Sequence, residues 1–586
     1  MPKVGARLLL AAALASLVLA FALLCGFDYS GRLGPFRLRI TEPLRPLVLA
    51  AILSLAALVP RRTRTSAFVL VAVCGAAALI SYARTADAAW APAGDIALIE
   101  TYTIHATNAD QLLGPYSRFG WNHPGPLYFY LQAPFYVMSG YRSAGLSAGA
   151  LVINLLALGI LVWVCVRAAP QGFLAIAMSA ASVLFAVLTK EMLASQWNPH
   201  VLVFPTMAIV VVAAAVAAGR IRWLPVLAGL ASFVVQTHLG LGPAVVALSG
   251  AATAAVALRA YLFRSSVATP RLWPTLNGTL WLLLVLWLLP LAQELSEPDG
   301  NLSQLWAFFG AEARPGQTWR TSFRTWSDMI SVVLRSDVHV GWGNRYGPLR
   351  GPVSQFWAIT ETVAVALIAG KAAREKEVFR GALAAMVLIA SGLGLWSITR
   401  IEDDVYDHLV FWLAGVGALH LGLIADALIR LVPRAEAAAG TREIAAACLL
   451  LFGVGAAAGF QDLRVIVSRS FRPRIEQLSV RRLADAIVPA FETNKVKQPL
   501  VTIDQPTWGI AAGVLLQLQK RHIPFLVEEG WWFMFGPPTR PPGDRSATST
   551  LMFAGPELTV RLGGQPGLEV LAQRDRVSII LAERQP

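Results

Sequence analysis

The chain reads as a polytopic α-helical membrane protein of about thirteen spans, with a small extracytoplasmic α/β domain at its C-terminal end. Three features carry that reading. Of 586 residues, 56% are hydrophobic and 14% charged, a poor composition for a single soluble core. Apolar runs near or above about 18 residues recur along the chain, each long enough to cross a hydrocarbon core of roughly 30 Å. In lipid the backbone must satisfy its own hydrogen bonds, so these runs should be helices. Finally, Arg and Lys collect in alternate short loops, as the positive-inside rule requires of a multi-pass protein.

In chain order the expected spans are 6–27, 45–60, 65–83, 144–166, 171–189, 201–218, 223–238, 242–260, 273–293, 354–370, 380–398, 408–430 and 443–460. The first is too long for a signal-peptide core and no Ala-x-Ala site follows it, so it is expected to stay uncleaved. Arg61, Arg62 and Arg64, then Arg167, Arg220 and Arg222, the stretch from Arg259 to Arg271, Lys371 to Arg380, and Arg430 to Arg442 mark the cytoplasmic loops. Loops 84–143, 190–200, 294–353 and 399–407 then face outward, with the N-terminus cytoplasmic. The expected address is the plasma (inner) membrane. The net charge of +14 is this topological signal, and no basic stripe points to nucleic acid. Cys25, Cys74, Cys165 and Cys448 all lie in apolar runs, and no Cys-x-x-Cys pattern occurs.

Residues 1–460 thus form the membrane domain and 461–586 a domain outside it. In the latter, 500–504, 522–527, 550–553, 568–571 and 578–582 read as short strands. Thr507–Gln519 has helical periodicity behind Pro506. The Pro/Gly stretch Phe535–Asp544 reads as a loop. Mixed helix and strand predict a small α/β fold.

The candidate chemistry gathers on the outward side. Asp95 and Glu100 follow the third span in Gly94-Asp95-Ile-Ala-Leu-Ile-Glu100, where Asp95 is placed to cap a helix. On a helix the two carboxylates sit about 140° apart, so they need not share a site. An acid at the hydrocarbon boundary is partly desolvated, which raises its pKa and suits it to general-base work; a solvated cap is the plainer use. Asn122-His123-Pro124-Gly125-Pro126 delays the next helix. Leu127–Tyr141 then reads as an interfacial helix whose Tyr and Phe rings fit the headgroup layer. Arg118 and His123 suit a lipid phosphate, or simply a headgroup anchor. Lys190, Gln196, Asn198, His200, Gln236, His238, Arg400 and His408 lie in the other outward segments, as does His105. Convergence of several would make a polar cavity. No His-x-x-x-His spacing marks a metal site, and no elbow presents a nucleophilic Ser or Cys.

These features together resemble the GT-C integral-membrane glycosyltransferases: an acid shortly after an early span, a long first external loop with a His-Pro-x-Pro-Leu-Tyr stretch, many spans and an external C-terminal domain. The nearest types are the protein-mannosyltransferases, aminoarabinose transferases and rhizobial lipopolysaccharide transferases. The family's His-Pro-Pro-Leu run appears here as His123-Pro124-Gly125-Pro126-Leu127 with one inserted residue. Its frequent Asp-Glu pair is absent, since Ile96 follows Asp95 and Glu100 is the nearest second acid. Two extra spans precede the acid-bearing loop.

The resemblance implies transfer of a sugar from a polyprenyl phosphate carrier to a glycan, glycolipid or protein outside the cytoplasm. Asp95 takes the catalytic acid's position. Arg118, His123 or Lys190 would hold the carrier phosphate. A phosphate leaves already charged, so it needs cationic stabilisation more than a strong general acid. One direct displacement implies inversion. No cofactor beyond the lipid-linked donor is required, with a divalent metal left open. A lipid-linked glycan polymerase would share this topology. A flippase would need ionisable groups buried mid-span. A non-catalytic assembly subunit would use the external domain to bind glycan.

Overall fold

In the computed structural model, residues 91–169, 174–189, 192–262, 272–311, 315–334, 351–431, 475–493, 496–536 and 549–583 are described, with shorter pieces elsewhere that include 29–33 and 36–40. The expected spans 45–60, 65–83 and 443–460 lie outside the described residues, as does the domain boundary at 461. An antiparallel hairpin of β1 (Tyr29–Leu33) and β2 (Phe36–Ile40) is the first ordered pair of strands. It was not expected from the sequence.

Directly before the bundle come α1 (Asp95–Thr107) and α2 (Leu127–Met138). The bundle runs through α3 (Ala144–Ala168), α4 (Leu174–Leu188), α5 (Val203–Ala217), α6 (Leu224–Thr237), α7 (Gly242–Leu262) and α8 (Leu272–Ser296). A short amphipathic helix α9 (Asn301–Gly310) and α10 (Trp319–Ile330) lead to α11 (Gly351–Arg374), α12 (Val378–Thr399) and α13 (Trp412–Leu431).

Among the described residues, seven helices are long and apolar enough to cross a membrane. The expected spans 171–189 and 223–238 appear as shorter apolar helices, Leu174–Leu188 and Ile221–Thr237. The count of thirteen is therefore not reproduced within these residues.

Burial sorts the spans. Asn198–Ala217 is wholly enclosed, whereas only 11% of Leu272–Ser296 is buried. The enclosed helix is rich in Ala and Val, whose small side chains let five neighbouring helices approach its backbone. The outlying α8 instead presents Trp281, Val285, Leu288 and Leu295, the composition of a lipid-facing surface.

The helices that leave the Asp95 end arrive at a basic end. There Arg220 donates to the carbonyls of Arg167 and Ala168, closing the last turn of α3. Arg380 and Arg430 both pair with Asp426 at 3.0 Å, and Arg430 reaches Glu377 at 2.6 Å. Mid-span, Glu361 of α11 lies 3.8 Å from His420 of α13, with both side chains almost fully buried.

The C-terminal unit begins with α14 (Ile475–Glu492) and is a five-stranded mixed sheet. Its strands are β3 (Leu500–Ile503), β4 (Leu526–Val527), β5 (Ser549–Ala554), β6 (Leu568–Arg574) and β7 (Val577–Glu583), in the order β4-β3-β5-β7-β6. The first three run parallel, with Leu500 opposite Leu526 and Thr550. β7 closes antiparallel on β5, with Phe553 opposite Ile579. Parallel neighbours need a crossover, and α15 (Trp508–Lys520) supplies it between β3 and β4. The expected strands and helix all fall within one to four residues of these. The start of the Pro/Gly stretch differs: Trp532–Phe535 is one helical turn, ended by Gly536 at φ 82°.

The unit docks on α1. Gly94 N–H donates to the Gly509 carbonyl at 2.8 Å, and the Tyr102 hydroxyl donates to the Met534 carbonyl. Gly94 has φ 57°, and a Cβ there would lie 3.6 Å from the Trp508 ring, so a side chain would be strained by the backbone before it met its neighbour.

Candidate active site

α1 starts at Asp95, and its N-cap is Gly94, with no side-chain cap bond. The cap expected of Asp95 is thus not made. Its carboxylate turns instead to two neutral donors. The Tyr116 hydroxyl donates to Oδ1 at 2.5 Å and Trp197 Nε1 to Oδ2 at 2.8 Å. Among the described residues no cation pairs with Asp95. Desolvation raises its pKa above the usual carboxylate range, and the two hydrogen bonds only partly oppose that. The group is half-buried, so it keeps a route to a reactant. Burial, and then the Asp95 charge, push the Tyr116 phenol well up, leaving it a donor at any working pH.

Glu100, one and a half turns on, has different neighbours. It is fully buried. Tyr136 of α2 donates to it at 2.8 Å and Lys520 of α15 at 2.6 Å. The pairing ties α1 to the C-terminal unit and gives the two carboxylates separate surroundings. His105, farther along α1, likewise meets that unit, at Gln519 Nε2 3.1 Å away. The interfacial role expected of the α2 rings also changes: Tyr128, Phe129 and Tyr136 are fully buried in the protein core, where Tyr128 donates to the Gln196 carbonyl at 2.5 Å.

Trp197 connects Asp95 to a group of imidazoles. Its ring lies 4.9 Å from His200 and 5.1 Å from His408. His200, His238 and Arg118 are close enough to act on the charge of His408. The His238 ring in turn packs at a tilt against His123, with centroids 4.6 Å apart. The loop carrying His123 is held by paired amides: the Asn122 N–H donates to Asn301 Oδ1, and Asn301 Nδ2 donates to the Asn122 carbonyl, both at 2.9 Å. Nδ1 of His123 accepts from the Leu239 N–H at 3.2 Å, so the ring's remaining proton is on Nε2. Burial and the neighbouring His238 hold the His123 pKa well below the usual imidazole range.

The structure therefore brings Asp95, Arg118, His123, His200 and His238 to one end of the bundle. Arg118 is exposed, with its guanidinium over the rings of Phe119 and Tyr406. Asn198 and Gln236 are buried and hold backbone, donating to the Thr237 and Leu286 carbonyls. Arg400 is exposed at the end of α12. Lys190 lies outside the described residues. No group of three or more His, Cys, Asp or Glu able to hold a metal occurs among the described residues.

Sequence reasoning missed Tyr116, Trp197 and Lys520. Trp197 stands inside the polar stretch 196–200 already singled out, so its neighbourhood was a signal. Lys520 gave none, because its partner is 420 residues away.

No protein-family model and no curated protein matches the chain. Solved structures do. ArnT from Cupriavidus metallidurans bound to undecaprenyl phosphate superposes with a TM-score of 0.52 at 14% identity, covering 88% of this chain and 99% of that one. The same protein in the apo state gives 0.48 at 15%, covering 89% and 100%. The Archaeoglobus fulgidus oligosaccharyltransferase in the apo form gives 0.34 at 12%, covering 76% and 64%. The chain is an integral membrane protein with the GT-C fold. At this identity the particular likeness, to ArnT, is one of fold.

Proposed function

We propose that the chain is an inverting glycosyltransferase that moves a sugar from a polyprenyl phosphate carrier to an acceptor outside the cytoplasm. The observation that carries this reading is Asp95. It is a half-buried carboxylate on a GT-C scaffold, bonded among the described residues only by neutral donors, one of which, Trp197, packs against His200 and His408. The binding of undecaprenyl phosphate by ArnT supports the choice of carrier.

In this reading Asp95 takes the proton of an acceptor hydroxyl as its oxygen attacks the anomeric carbon. Tyr116 and Trp197 fix the carboxylate's direction. Arg118 and His123 Nε2–H face the leaving phosphate, where negative charge develops. Asn198 and Gln236 keep the His200 and His238 segments in place. Glu100 positions α1 through Lys520. The basic end is cytoplasmic by the positive-inside rule, which puts Asp95 and the C-terminal unit outside.

A transport reading has one observation on its side, the buried Glu361–His420 pair. Those side chains are 3% and 0% exposed and so line no open path.

The test is label transfer. Purified protein is mixed with polyprenyl-phosphate-linked labelled sugars and an envelope acceptor fraction. Label moving from lipid to acceptor is the expected result. Label crossing the bilayer while still on its lipid contradicts the reading and identifies a flippase.

A further inference from the structure

The imidazole group has more members than holding a phosphate requires, and their hydrogen bonding is incomplete. Nδ1 of His238 has no hydrogen-bond partner among the described residues. Nδ1 of His408 is in the same condition, 3.9 Å from an Asp407 oxygen, too far for a hydrogen bond. Both Nδ1 atoms are themselves buried, while the residues keep some solvent contact, the His408 side chain being 22% exposed. His123 and His200 are committed instead, His123 to the Leu239 N–H and His200 to Ser195 Oγ at 2.9 Å.

The charges facing the two open rings are on the page. His408 faces His200, His238, Arg118 and Asp407, with the Trp197 and Tyr406 rings against it. His238 faces His123 and His408. The charged groups among these are one guanidinium, Arg118 at His408, and one carboxylate, Asp407. With no anion bound, neither ring has a hydrogen-bonded carboxylate among the described residues to hold a proton. An arriving anion supplies that partner.

The reaction makes such an anion. The carrier enters as a phosphodiester with one negative charge. The acceptor oxygen forms its bond to the anomeric carbon, and the bond from that carbon to the phosphate oxygen breaks. Its electron pair stays on the phosphate, and the hydroxyl proton goes to Asp95. What remains is a phosphomonoester whose second pKa is about 6, so it carries nearly two charges at neutral pH.

We propose that His238 and His408 form, with Arg118 and His123 Nε2–H, a cradle selective for the phosphomonoester end of the spent carrier, and that one of the two rings takes up a proton as that group settles. The proposal rests on the transferase reading and deepens it. The imidazole proton comes from solvent and returns there when the phosphate leaves, while Asp95 gives up the hydroxyl proton, so each turnover frees about one proton, as the charge on the product requires. The cradle thereby favours the charge distribution after bond cleavage over the one before it.

The test is isothermal titration of the full-length protein with a short-chain polyprenyl monophosphate, in two buffers of different ionisation enthalpy at pH 7.5. The matching polyprenyl methyl phosphodiester and the free polyprenol serve as controls. The expected result is uptake of about one proton per monophosphate bound, with affinity weakening about tenfold per pH unit above neutrality. The diester should bind with no uptake. In the His238→Gln, His408→Gln double variant the uptake should vanish while monophosphate binding persists more weakly. Monophosphate binding with no proton uptake overturns the proposal and leaves the transferase reading standing. Unchanged uptake in the double variant overturns it too. Binding of polyprenol as tight as monophosphate, or of neither, overturns the carrier reading itself.

Discussion

The two ends of the bundle treat buried charge in opposite ways. At the basic end Asp426 is fully buried but paired with both Arg380 and Arg430, and Glu377 closes the set. At the other end Asp95 has a phenol and an indole for partners, and the nearby imidazoles leave ring nitrogens unbonded. Paired charges hold helices together and have nothing left to give a reactant. A carboxylate satisfied only by neutral donors is less stable as an ion, and that is what a general base near neutral pH requires. Glu100 shows that the contrast is not between helices. On the same helix as Asp95, it is paired like the basic end.

The contrast can be broken at either end. Asp426→Ala leaves the buried Arg380 guanidinium without its main partner. It should cost about 3–5 kcal/mol of stability, read by thermal unfolding in detergent, with transfer per folded molecule unchanged. A stable Asp426→Ala would show that the network is not structural.

Trp197→Phe removes a donor to an ionised group, worth about 1.5–3 kcal/mol. The lost bond favoured the charged form, so the Asp95 pKa should rise further, by about one to two units. The active base is the ionised form and is lost as pH falls. The acid limb of the transfer rate should therefore lie above the ordinary carboxylate range in the wild type and move higher still in the variant. A limb that stays in place would detach Asp95 from the rate.

Lys520→Met leaves Glu100 with only Tyr136. A cost of about 1–3 kcal/mol is expected, since Lys520 keeps some solvent contact. Adding Glu100→Gln should recover part of it, and limited proteolysis should report a looser C-terminal unit in the single variant. Tyr136→Phe removes a single bond to the same carboxylate and should cost about 0.5–1.5 kcal/mol. An effect on turnover larger than that of Trp197→Phe would mean that Glu100, not Asp95, faces the reactants.

Much of this was legible in the sequence because it follows from local pattern. Apolar length marked the long spans, short apolar runs marked the strands, helical periodicity behind Pro506 marked the crossover helix, and the clustering of polar residues pointed to the segments around Asp95, His123, His200 and His238. What stayed hidden depends on contacts between distant segments. Nothing local tells that Tyr128, Phe129 and Tyr136 turn inward instead of toward headgroups, because an aromatic helix face serves either use. Nothing local separates Asp95 from Glu100 either: both are acids on one helix, and only Lys520, brought in by the docking of another domain, makes one of them structural. The missed hairpin of β1 and β2 is short and lies between two apolar runs that dominate any reading of hydropathy.

The most direct measurement compares Asp95→Asn with the wild type at equal protein, reading both sugar transfer and thermal stability. Asn keeps the shape, and with Oδ1 turned to Trp197 its amide donates to the Tyr116 oxygen, so the local bonds survive. Burial raises the Asp95 pKa, so its protonation-linked stability is complete below the unfolded carboxyl value and is lost as pH rises through the folded one. At neutral pH the ionised group is therefore a cost that the variant does not carry. The predicted result is transfer lowered by about 10²–10⁴-fold with a melting temperature equal to or above that of the wild type. Full transfer by Asp95→Asn would contradict the account.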